Sequence, residues 1–376
     1  MIHITKPLLG EAEQKLVCEV LASGWVTQGP KVAAFEKAFA EYTGARYAVA
    51  VNNCTAALHL AVMESGVGPG DEVICPSLTF IATANAILYC GGKPVFAEVK
   101  AEDFNIDPAA IEPLITERTK AVMVVHQIGN PARMEEICRI ADRHGLVVIE
   151  DAACAIGSGY RGAKIGKPFG KFVCFSFHPR KVITTGEGGM ITTDDAEADQ
   201  QFRLLRQHGM SVPDTVRHAA KSVIFESYVR VGYNYRMSDI HAAVGLGQLA
   251  RLDEIVAGRQ RIAARYDAAF GNLPGVKLVD PPDGSELNYQ NYSLLLTDQA
   301  KVSRDQFMQA MLDKGVSTRK GIMTIHREPA YANLCAGLRL PVTEYASDHS
   351  VLLPVFPQMT EAEQAAVVEA TVSILG

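Results

Sequence analysis

Short apolar segments alternate with helix-like stretches from about residue 46 to residue 193. The apolar segments are 47–51, 72–75, 94–99, 121–125, 146–149, 172–177 and 190–193. Most are apolar on both faces, as in parallel strands that helices cover on both sides. The alternation therefore predicts an α/β fold built on one sheet. Asp107-Pro108 is typical of a helix start, because an N-cap residue is followed by proline in the first turn.

The pattern changes after about residue 245 to longer helices and sparser strands. Two capping boxes, which begin at Ser303 and Thr360, predict helix starts in this part. A chain of 376 residues, of which 48% are hydrophobic, is long enough to bury two cores. We therefore expect a large domain over residues 1–245 and a smaller C-terminal domain over residues 246–376.

Charge and composition narrow the classes of partner. The formal net charge of −6 and the isoelectric point near 6.0 give no broad basic field, so we expect no nucleic-acid partner. The N-terminus lacks the pattern of a signal peptide, and no apolar run approaches the roughly 18 residues of a membrane span. A cytoplasmic location without membrane contact is expected. The eight cysteines form no CxxC pair, which favours reduced core thiols and no structural metal.

Lys181 is the main candidate for covalent chemistry. Most lysines are solvated surface charges, but this one falls in a tight connection between the apolar segments 172–177 and 190–193, just before a glycine-rich stretch. A lysine held in this way can form a Schiff base with pyridoxal phosphate. Ser176, five residues earlier, supplies a hydroxyl that can bind the phosphate.

Asp151 follows the strand 146–149, and ligands of open α/β sheets lie at the carboxyl ends of the strands. An aspartate that faces the pyridine nitrogen keeps it protonated, and each unit of that pKa shift corresponds to roughly 1.4 kcal/mol. The alternative role of Asp151 is a helix N-cap or an ordinary loop carboxylate. Position alone favours neither role.

A second anion site is predicted where a helix begins near Thr55 and Ala56, after the strand 47–51. The helix dipole contributes only about 0.3–1 kcal/mol in exposed cases, so hydroxyls such as those of Thr55 and Ser176 are needed as well. The alternative is a simple asparagine-capped helix. The glycines of 66–70 precede a strand, which excludes a dinucleotide fingerprint.

Taken together, these motifs resemble the DegT/DnrJ/EryC1/StrS family of sugar aminotransferases, which depend on pyridoxal phosphate. The resemblance extends over nearly the whole chain, in the segments 23–30, 53–58, 68–80, 150–153, 176–181, 232–237 and 353–357. It implies the fold type I scaffold. In that scaffold a large domain contains a mostly parallel seven-stranded sheet flanked by helices, and a smaller α+β domain follows at the C-terminus.

The resemblance also implies roles for individual residues. Lys181 would be the Schiff-base lysine and Asp151 the partner of the pyridinium nitrogen. Phe80 would stack on the cofactor, although a single phenylalanine is more often part of a core. The phosphate would be bound by Thr55, Ala56, Ser176 and Asn234. Because Asn234 would come from the neighbouring subunit, the family implies a homodimer with shared active sites.

Two departures from the family pattern concern the surroundings of the cofactor and the substrate. Cys154 stands near the cofactor ring, where the family usually has histidine or glutamine, and its thiol is a much poorer hydrogen-bonding group. The segment 318–331, expected to line the sugar pocket, lacks the usual histidine-tyrosine pair. Candidates for substrate contacts are Thr27, Arg236, Arg319 and His326, each equally suited to a surface or structural role.

The implied reaction is transamination. L-glutamate converts the Lys181 aldimine to pyridoxamine phosphate, and the amine then passes to a ketone, C4 by the family's habit, on a nucleotide-linked deoxysugar. Lys181 would move the proton, so we predict that burial beside the cationic cofactor lowers its pKa. The alternatives are amination at C3, glutamine as donor, a cyclitol ketone as acceptor, sugar dehydration and a non-catalytic regulator. Lys181 argues against dehydration, because dehydrating relatives carry histidine at that position.

Overall fold

A computed structural model describes residues 1–212 and 214–376 of the chain. Its strands are β1 (Tyr47–Val51), β2 (Glu72–Pro76), β3 (Lys93–Ala97), β4 (Thr119–Val125), β5 (Val147–Asp151), β6 (Gly159–Tyr160), β7 (Ala163–Lys164), β8 (Phe172–Ser176), β9 (Gly189–Thr193), β10 (Val276–Leu278), β11 (Ser285–Glu286), β12 (Tyr292–Leu296), β13 (Arg319–Lys320) and β14 (Ser350–Leu353). Its α-helices are α1 (Glu11–Ser23), α2 (Pro30–Thr43), α3 (Cys54–Glu64), α4 (Ala82–Tyr89), α5 (Met134–Arg143), α6 (Ala196–Leu205), α7 (Asp214–Ala219), α8 (Asp239–Leu249), α9 (Leu252–Phe270), α10 (Arg304–Asp313), α11 (Pro341–His349) and α12 (Glu361–Leu375).

Seven strands form the large sheet in the order β1-β9-β8-β5-β4-β2-β3. Only β9 runs against its neighbours β1 and β8, so the predicted mostly parallel, seven-stranded sheet is confirmed. The third predicted strand, 94–99, is displaced: β3 is Lys93–Ala97. The reason is that Val99 leaves the sheet to pair with Ile106.

Two apolar layers cover the faces of this sheet. On one face, the Phe39 ring of α2 packs against Phe175 and Phe177, with ring centroids 5.0 and 5.7 Å apart. On the other face, α3 is buried along most of its length. Burying one such phenylalanine stabilises the fold by about 1.5–3 kcal/mol. The rigid sheet edge that results positions the residues beyond each strand.

Helix starts follow the local sequence, with one exception. Both predicted capping boxes are present, at Ser303 and Thr360. Asp107 also caps its segment, and its carboxylate accepts from the N–H of Ala109 at 3.1 Å. However, only a 3₁₀ turn follows, at Pro108–Ala110. Pro113 explains the difference, because a proline ring clashes with the carbonyl four residues earlier in an α-helix.

The C-terminal part has its own four-stranded sheet, β10-β12-β14-β13, packed against α9, α10 and α12. The first residues of the chain join this unit, since Ile2 pairs with Val316. The core contacts of α9 change from the large sheet at Val256 to the C-terminal core at Ile262. The division at residue 245 remains a proposal.

Two further features concern membranes and thiols. Within residues 1–212 and 214–376, the helices are all too short or too polar to cross a bilayer.

All eight cysteines are free thiols. Cys18 is exposed, three are partly buried and the other four are buried.

We predict that Phe39→Ala destabilises the protein by about 3–5 kcal/mol, because it leaves a cavity between α2 and the sheet. Leu21→Ala is the matched control. Leu21 is exposed. The free energy of unfolding of the Leu21→Ala variant should therefore stay within about 0.5 kcal/mol of the parent value. Urea unfolding followed by circular dichroism measures both. Equal losses in the two variants would contradict the assigned core.

Candidate active site

Asp151 is the last residue of β5 and is buried. Its carboxylate accepts hydrogen bonds from the Thr83 hydroxyl at 2.8 Å and from the N–H of Ala153 at 3.1 Å. Burial raises the pKa of Asp151, and these two hydrogen bonds offset only part of that rise. A buried carboxylate of this kind is best satisfied by a cationic partner.

Lys181 lies in the turn after β8, where its N–H donates to the carbonyl of His178 at 2.8 Å. Its Nζ donates to the Sγ of Cys154 at 3.2 Å. Because Cys154 follows β5, this contact joins the turns that leave two neighbouring strands. Lys181, Cys154 and Asp151 are thus brought together, as predicted for a site at the carboxyl edge of the sheet.

The pKa of Lys181 reflects opposing effects. Burial lowers it, but Cys154, Cys54 and Asp151 together raise it by more, so the pKa lies above its ordinary value. With protein groups alone around it, the amine is therefore protonated at neutral pH. This direction is opposite to the lowering that we predicted beside a cationic cofactor, which stays a prediction for the loaded enzyme.

The predicted phosphate site is built around Gly189, the first residue of β9. Gly189 pairs with Ser176 at the end of β8, and a Cβ on it would lie 2.6 Å from the carbonyl of Asn53, the residue before α3. Only glycine therefore allows the helix start to come this close to Ser176. The result is a cradle with a hydroxyl on one side and a helix N-terminus on the other.

The helix start is also capped from within, because Asn53 Oδ1 accepts from the N–H of Ala56 at 2.8 Å. The asparagine-capped alternative is thus present in the structure. Within the described chain, the hydroxyl and N–H of Thr55 have no hydrogen-bond partner, and Thr55 is half-buried. Thr55 remains suited to an anion, whereas Ala56 would have to share its N–H with Asn53.

Phe80 is 65% exposed, although it is a large aromatic residue. Its segment is fixed against the C-terminal part of the chain, since the N–H of Thr79 donates to the carbonyl of Met323 at 3.1 Å. An exposed ring on a fixed segment is available to cover a flat ligand. The core alternative for Phe80 is excluded by this exposure.

Asn234 is exposed and lies beside the start of α3 in its own chain. The N–H of Asn52 donates to the carbonyl of Tyr235 at 2.8 Å, and the Asn52 side chain donates to the carbonyl of Asn234 at 3.4 Å. Arg236 donates to Asn234 Oδ1 at 3.4 Å. The Asn234 side chain is thus exposed in the single chain, with Arg236 as its hydrogen-bond donor.

The candidate substrate residues differ in exposure and in how many of their polar atoms already have hydrogen-bond partners. Both ring nitrogens of His326 are engaged, Nδ1 with Ser77 at 2.7 Å and Nε2 with Glu344 at 3.3 Å, and the ring is buried. These contacts favour the structural role. Thr27 and Arg319 are exposed. Partial desolvation of its guanidinium, together with the charge of Arg180, lowers the pKa of Arg319.

Thr83, whose hydroxyl donates to Asp151, is not among the residues that the sequence predicts for the site. Thr83 also contacts the Thr79 hydroxyl at 3.1 Å. Two threonines spaced four apart after a strand are the only local signal. The contact of Thr83 with Asp151 depends on the strand order β2-β4-β5, which the sequence alone does not provide.

A model of the DegT/DnrJ/EryC1/StrS aminotransferase family matches residues 7–372. The chain belongs to this family. The spore coat polysaccharide biosynthesis protein SpsC of Bacillus subtilis is 40% identical over 373 residues, which are 98% of this chain and 96% of SpsC. GDP-perosamine synthase of Caulobacter vibrioides is 40% identical over 378 residues, which are 100% of this chain and 98% of that enzyme.

The solved structures of Spr1654 from Streptococcus pneumoniae, a protein classed with the sugar aminotransferases, share the fold. Its PMP form superposes with a TM-score of 0.93 at 28% identity, covering 100% of this chain and 99% of Spr1654. Its PLP form gives 0.90 at 27% identity, covering 100% of each chain. The enzyme is thus a sugar aminotransferase that depends on pyridoxal phosphate, and the predicted family, fold, enzyme class and cofactor are confirmed.

We predict that Gly189→Ala weakens cofactor binding at least tenfold and destabilises the enzyme by about 1–3 kcal/mol, because the new methyl group displaces the start of α3. Gly68→Ala is the control, since a Cβ there meets only the Asp71 carboxylate, at 4.0 Å. Titration of the cofactor-free enzyme with pyridoxal phosphate and thermal unfolding measure both effects. Unchanged cofactor affinity in Gly189→Ala would contradict the assigned cradle.

The raised pKa of Asp151 predicts a pH effect on stability. The native state holds this proton more tightly than the unfolded state, so the carboxylate destabilises the cofactor-free enzyme as pH rises through the raised pKa. Asp151→Asn should therefore stabilise the cofactor-free enzyme at pH 7, and the gain should vanish at pH values below the ordinary pKa. Urea unfolding at several pH values measures this, with Asp283→Asn in an exposed turn as control. A gain independent of pH would refute the explanation.

Proposed function

We propose that the enzyme transfers an amino group from L-glutamate to the C4 keto group of a nucleotide-linked keto-deoxysugar. The observation that carries the proposal is the position of Lys181, whose amine contacts Cys154 at 3.2 Å beside the buried Asp151. The similarity to GDP-perosamine synthase supports a nucleotide-linked acceptor. Amination at C3 and a cyclitol ketone as acceptor are the alternatives that the assays below separate, and glutamine is the alternative donor.

The residues at the sheet edge fit the cofactor. Asp151 would hold the ring nitrogen, since its buried carboxylate needs a cation, and Phe80 would cover the ring. Ser176 and Thr55, with the N–H of Ala56, would bind the phosphate in the cradle at Gly189, and Cys154 would lie beside the ring. When bound, pyridoxal phosphate supplies a carbonyl that condenses with amines and a ring that withdraws electrons.

Lys181 is proposed as both the attachment point and the proton carrier. An amine must be neutral to accept a proton and charged to donate one, so a catalytic lysine has to titrate near the working pH. In this structure Cys154 and Asp151 keep the pKa of Lys181 high. A positive ring held by Asp151 would oppose that effect and lower the pKa towards neutrality.

Two arginines support an anionic substrate. Arg180 directly precedes Lys181, Arg319 comes from β13, and the two are close enough that Arg180 lowers the pKa of Arg319. Among the described residues, neither guanidinium has a carboxylate partner. Such a pair suits the diphosphate of a nucleotide sugar or the carboxylates of glutamate. Thr27 and Arg236 are proposed as further substrate contacts.

An exposed apolar segment supports a homodimer with shared active sites. Phe225 and Val231 are each 89% exposed, and Val223 and Tyr228 are also exposed. A cluster of this kind is typical of a surface that a partner covers. It leads directly into the segment of Asn234, which we propose reaches the phosphate site of a second copy. A cytoplasmic location is part of the same proposal.

We predict that borohydride treatment of the purified yellow enzyme fixes the cofactor on Lys181 and that Lys181→Ala lowers turnover by at least 1,000-fold. Lys171→Ala is the control, because Lys171 makes a surface ion pair with Asp195 at 3.4 Å. Peptide mass spectrometry locates the label. Label on another lysine, or turnover by Lys181→Ala at the parent rate, would overturn the proposal.

Substrate identity is tested with nucleotide-linked 4-keto and 3-keto deoxysugars and with cyclitol ketones. L-glutamate is the donor, and formation of 2-oxoglutarate is followed. We expect turnover with the 4-keto sugar only, and we expect Arg319→Ala to raise the KM of an anionic substrate about tenfold or more. If only the 3-keto sugar is turned over, the position of amination is C3 and not C4. Turnover with the cyclitol alone would remove the nucleotide from the proposal.

A further inference from the structure

A short turn from the C-terminal part of the chain, Asn288–Gln290, contacts both segments that carry the active-site residues. The Asn288 carboxamide donates to the carbonyls of Cys154 and Ile156, each at 2.8 Å. The Gln290 carboxamide donates to the carbonyl of Arg180. One turn thus holds the chain after β5 and the chain after β8 at the same time.

The turn is itself held in one conformation. Tyr289 has a φ of 47°, which a non-glycine residue adopts only where its surroundings require it. Asn288 Oδ1 accepts from the N–H of Gln290 at 2.8 Å, which closes the turn. The buried Arg259 donates to the carbonyls of Tyr289 and Gln290 at 3.1 and 3.2 Å. Both carboxamides are therefore presented in fixed positions.

The atoms around Asn288 are packed so closely that its side chain has no room to move. A Cβ on Gly129 would lie 1.9 Å from Asn288 Oδ1, and the N–H of Asn288 donates to the Ser158 hydroxyl at 3.2 Å. The Asn288 side chain is fully buried. Any movement of this residue would therefore move the carbonyl of Cys154 with it.

Two of the three carbonyls that the turn holds belong to Arg180 and Cys154, which both adjoin Lys181. Arg180 is the residue before Lys181 in the chain, and the Cys154 thiol contacts the amine directly. A thiol is a weak hydrogen-bond acceptor, so it cannot fix a flexible lysine side chain by itself. The backbone on both sides has to be fixed instead.

We propose that Asn288 and Gln290 are positioning residues for the reaction: they hold the carbonyls of Cys154 and Arg180 so that the Lys181 amine stays in its reactive position. The proposal rests on the proposed function of Lys181. Misplacing a reacting group by about 1 Å can cost roughly 100-fold in rate. The C-terminal part of the chain then acts on the amine through the backbone and not by contact with it.

Gln290→Leu is the decisive variant. Gln290 is 4% exposed, and its Oε1 is buried without a hydrogen-bond partner among the described residues. Leucine therefore removes one hydrogen bond and one unsatisfied acceptor, and the fold should survive. The matched control is Gln260→Leu. It removes a similar bond at 2.9 Å, to the carbonyl of Leu287 in the same loop, but on the exposed side and away from Lys181.

For Gln290→Leu we expect kcat for the half-reaction with L-glutamate to fall about 10- to 100-fold while KM changes less than about twofold. The rate at which the cofactor-free enzyme captures pyridoxal phosphate should fall at least fivefold. The pH midpoint of the yellow colour of the loaded enzyme should shift. Gln260→Leu should match the parent enzyme in all three measurements, and Gln290→His, which keeps a ring N–H donor, should restore most of the loss.

The proposal would be overturned if Gln290→Leu captured pyridoxal phosphate at the parent rate and kept the parent pH midpoint. It would also be overturned if Gln260→Leu changed these two quantities as much as Gln290→Leu does. If Gln290→Leu does not fold, Gln290→Met, which has the same length as glutamine, takes its place with the same expected results. Capture and colour require no sugar or glutamate. If the parent enzyme fails to use glutamate or any sugar, these two measurements still decide the positioning role separately from the proposed function.

Discussion

The burial of two opposite charges at one edge of the sheet is the constraint on which this site depends. Asp151 is desolvated at the end of β5, and Lys181 is desolvated in the turn after β8, within the range in which each affects the pKa of the other. Each charge offsets part of the cost of desolvating the other, and for an unpaired buried charge that cost is several kcal/mol. The strand order, the glycine at 189 and the helix start at α3 all serve to hold this pair beside the cradle that we propose binds the phosphate.

Local patterns were sufficient to predict the sheet and the residues at the ends of its strands. Apolar runs identified the strands, and Lys181 and Asp151 follow two of them directly, so one-dimensional spacing already placed both at the same edge. The segment after Asp107 was harder, because Pro113 acts on a helix that starts five residues before it. There the start signal was correct and the type of helix was not.

Contacts between distant segments could not be predicted in this way. Thr83 reaches Asp151 only because β2 lies two strands from β5, and His326 is engaged by Ser77 and Glu344 only because the C-terminal part folds back on β2. Local sequence patterns contain no signal for such pairs. The same limit applies to Asn288, whose importance depends on carbonyls more than 130 residues away.

Cys154 contributes to the order of the site through its backbone carbonyl more than through its side chain. Histidine or glutamine at this position, as in the family's usual pattern, could form strong hydrogen bonds with its own side chain, whereas a thiol cannot. In this chain the carbonyl of Cys154, not its thiol, makes the stronger bond, to Asn288 at 2.8 Å. An amide-carbonyl bond keeps its geometry better than a thiol contact, because a thiol is a weaker partner and tolerates wider variation in distance. Order around the lysine can thus be kept through the backbone when the side chain at position 154 is a poor hydrogen-bonding group.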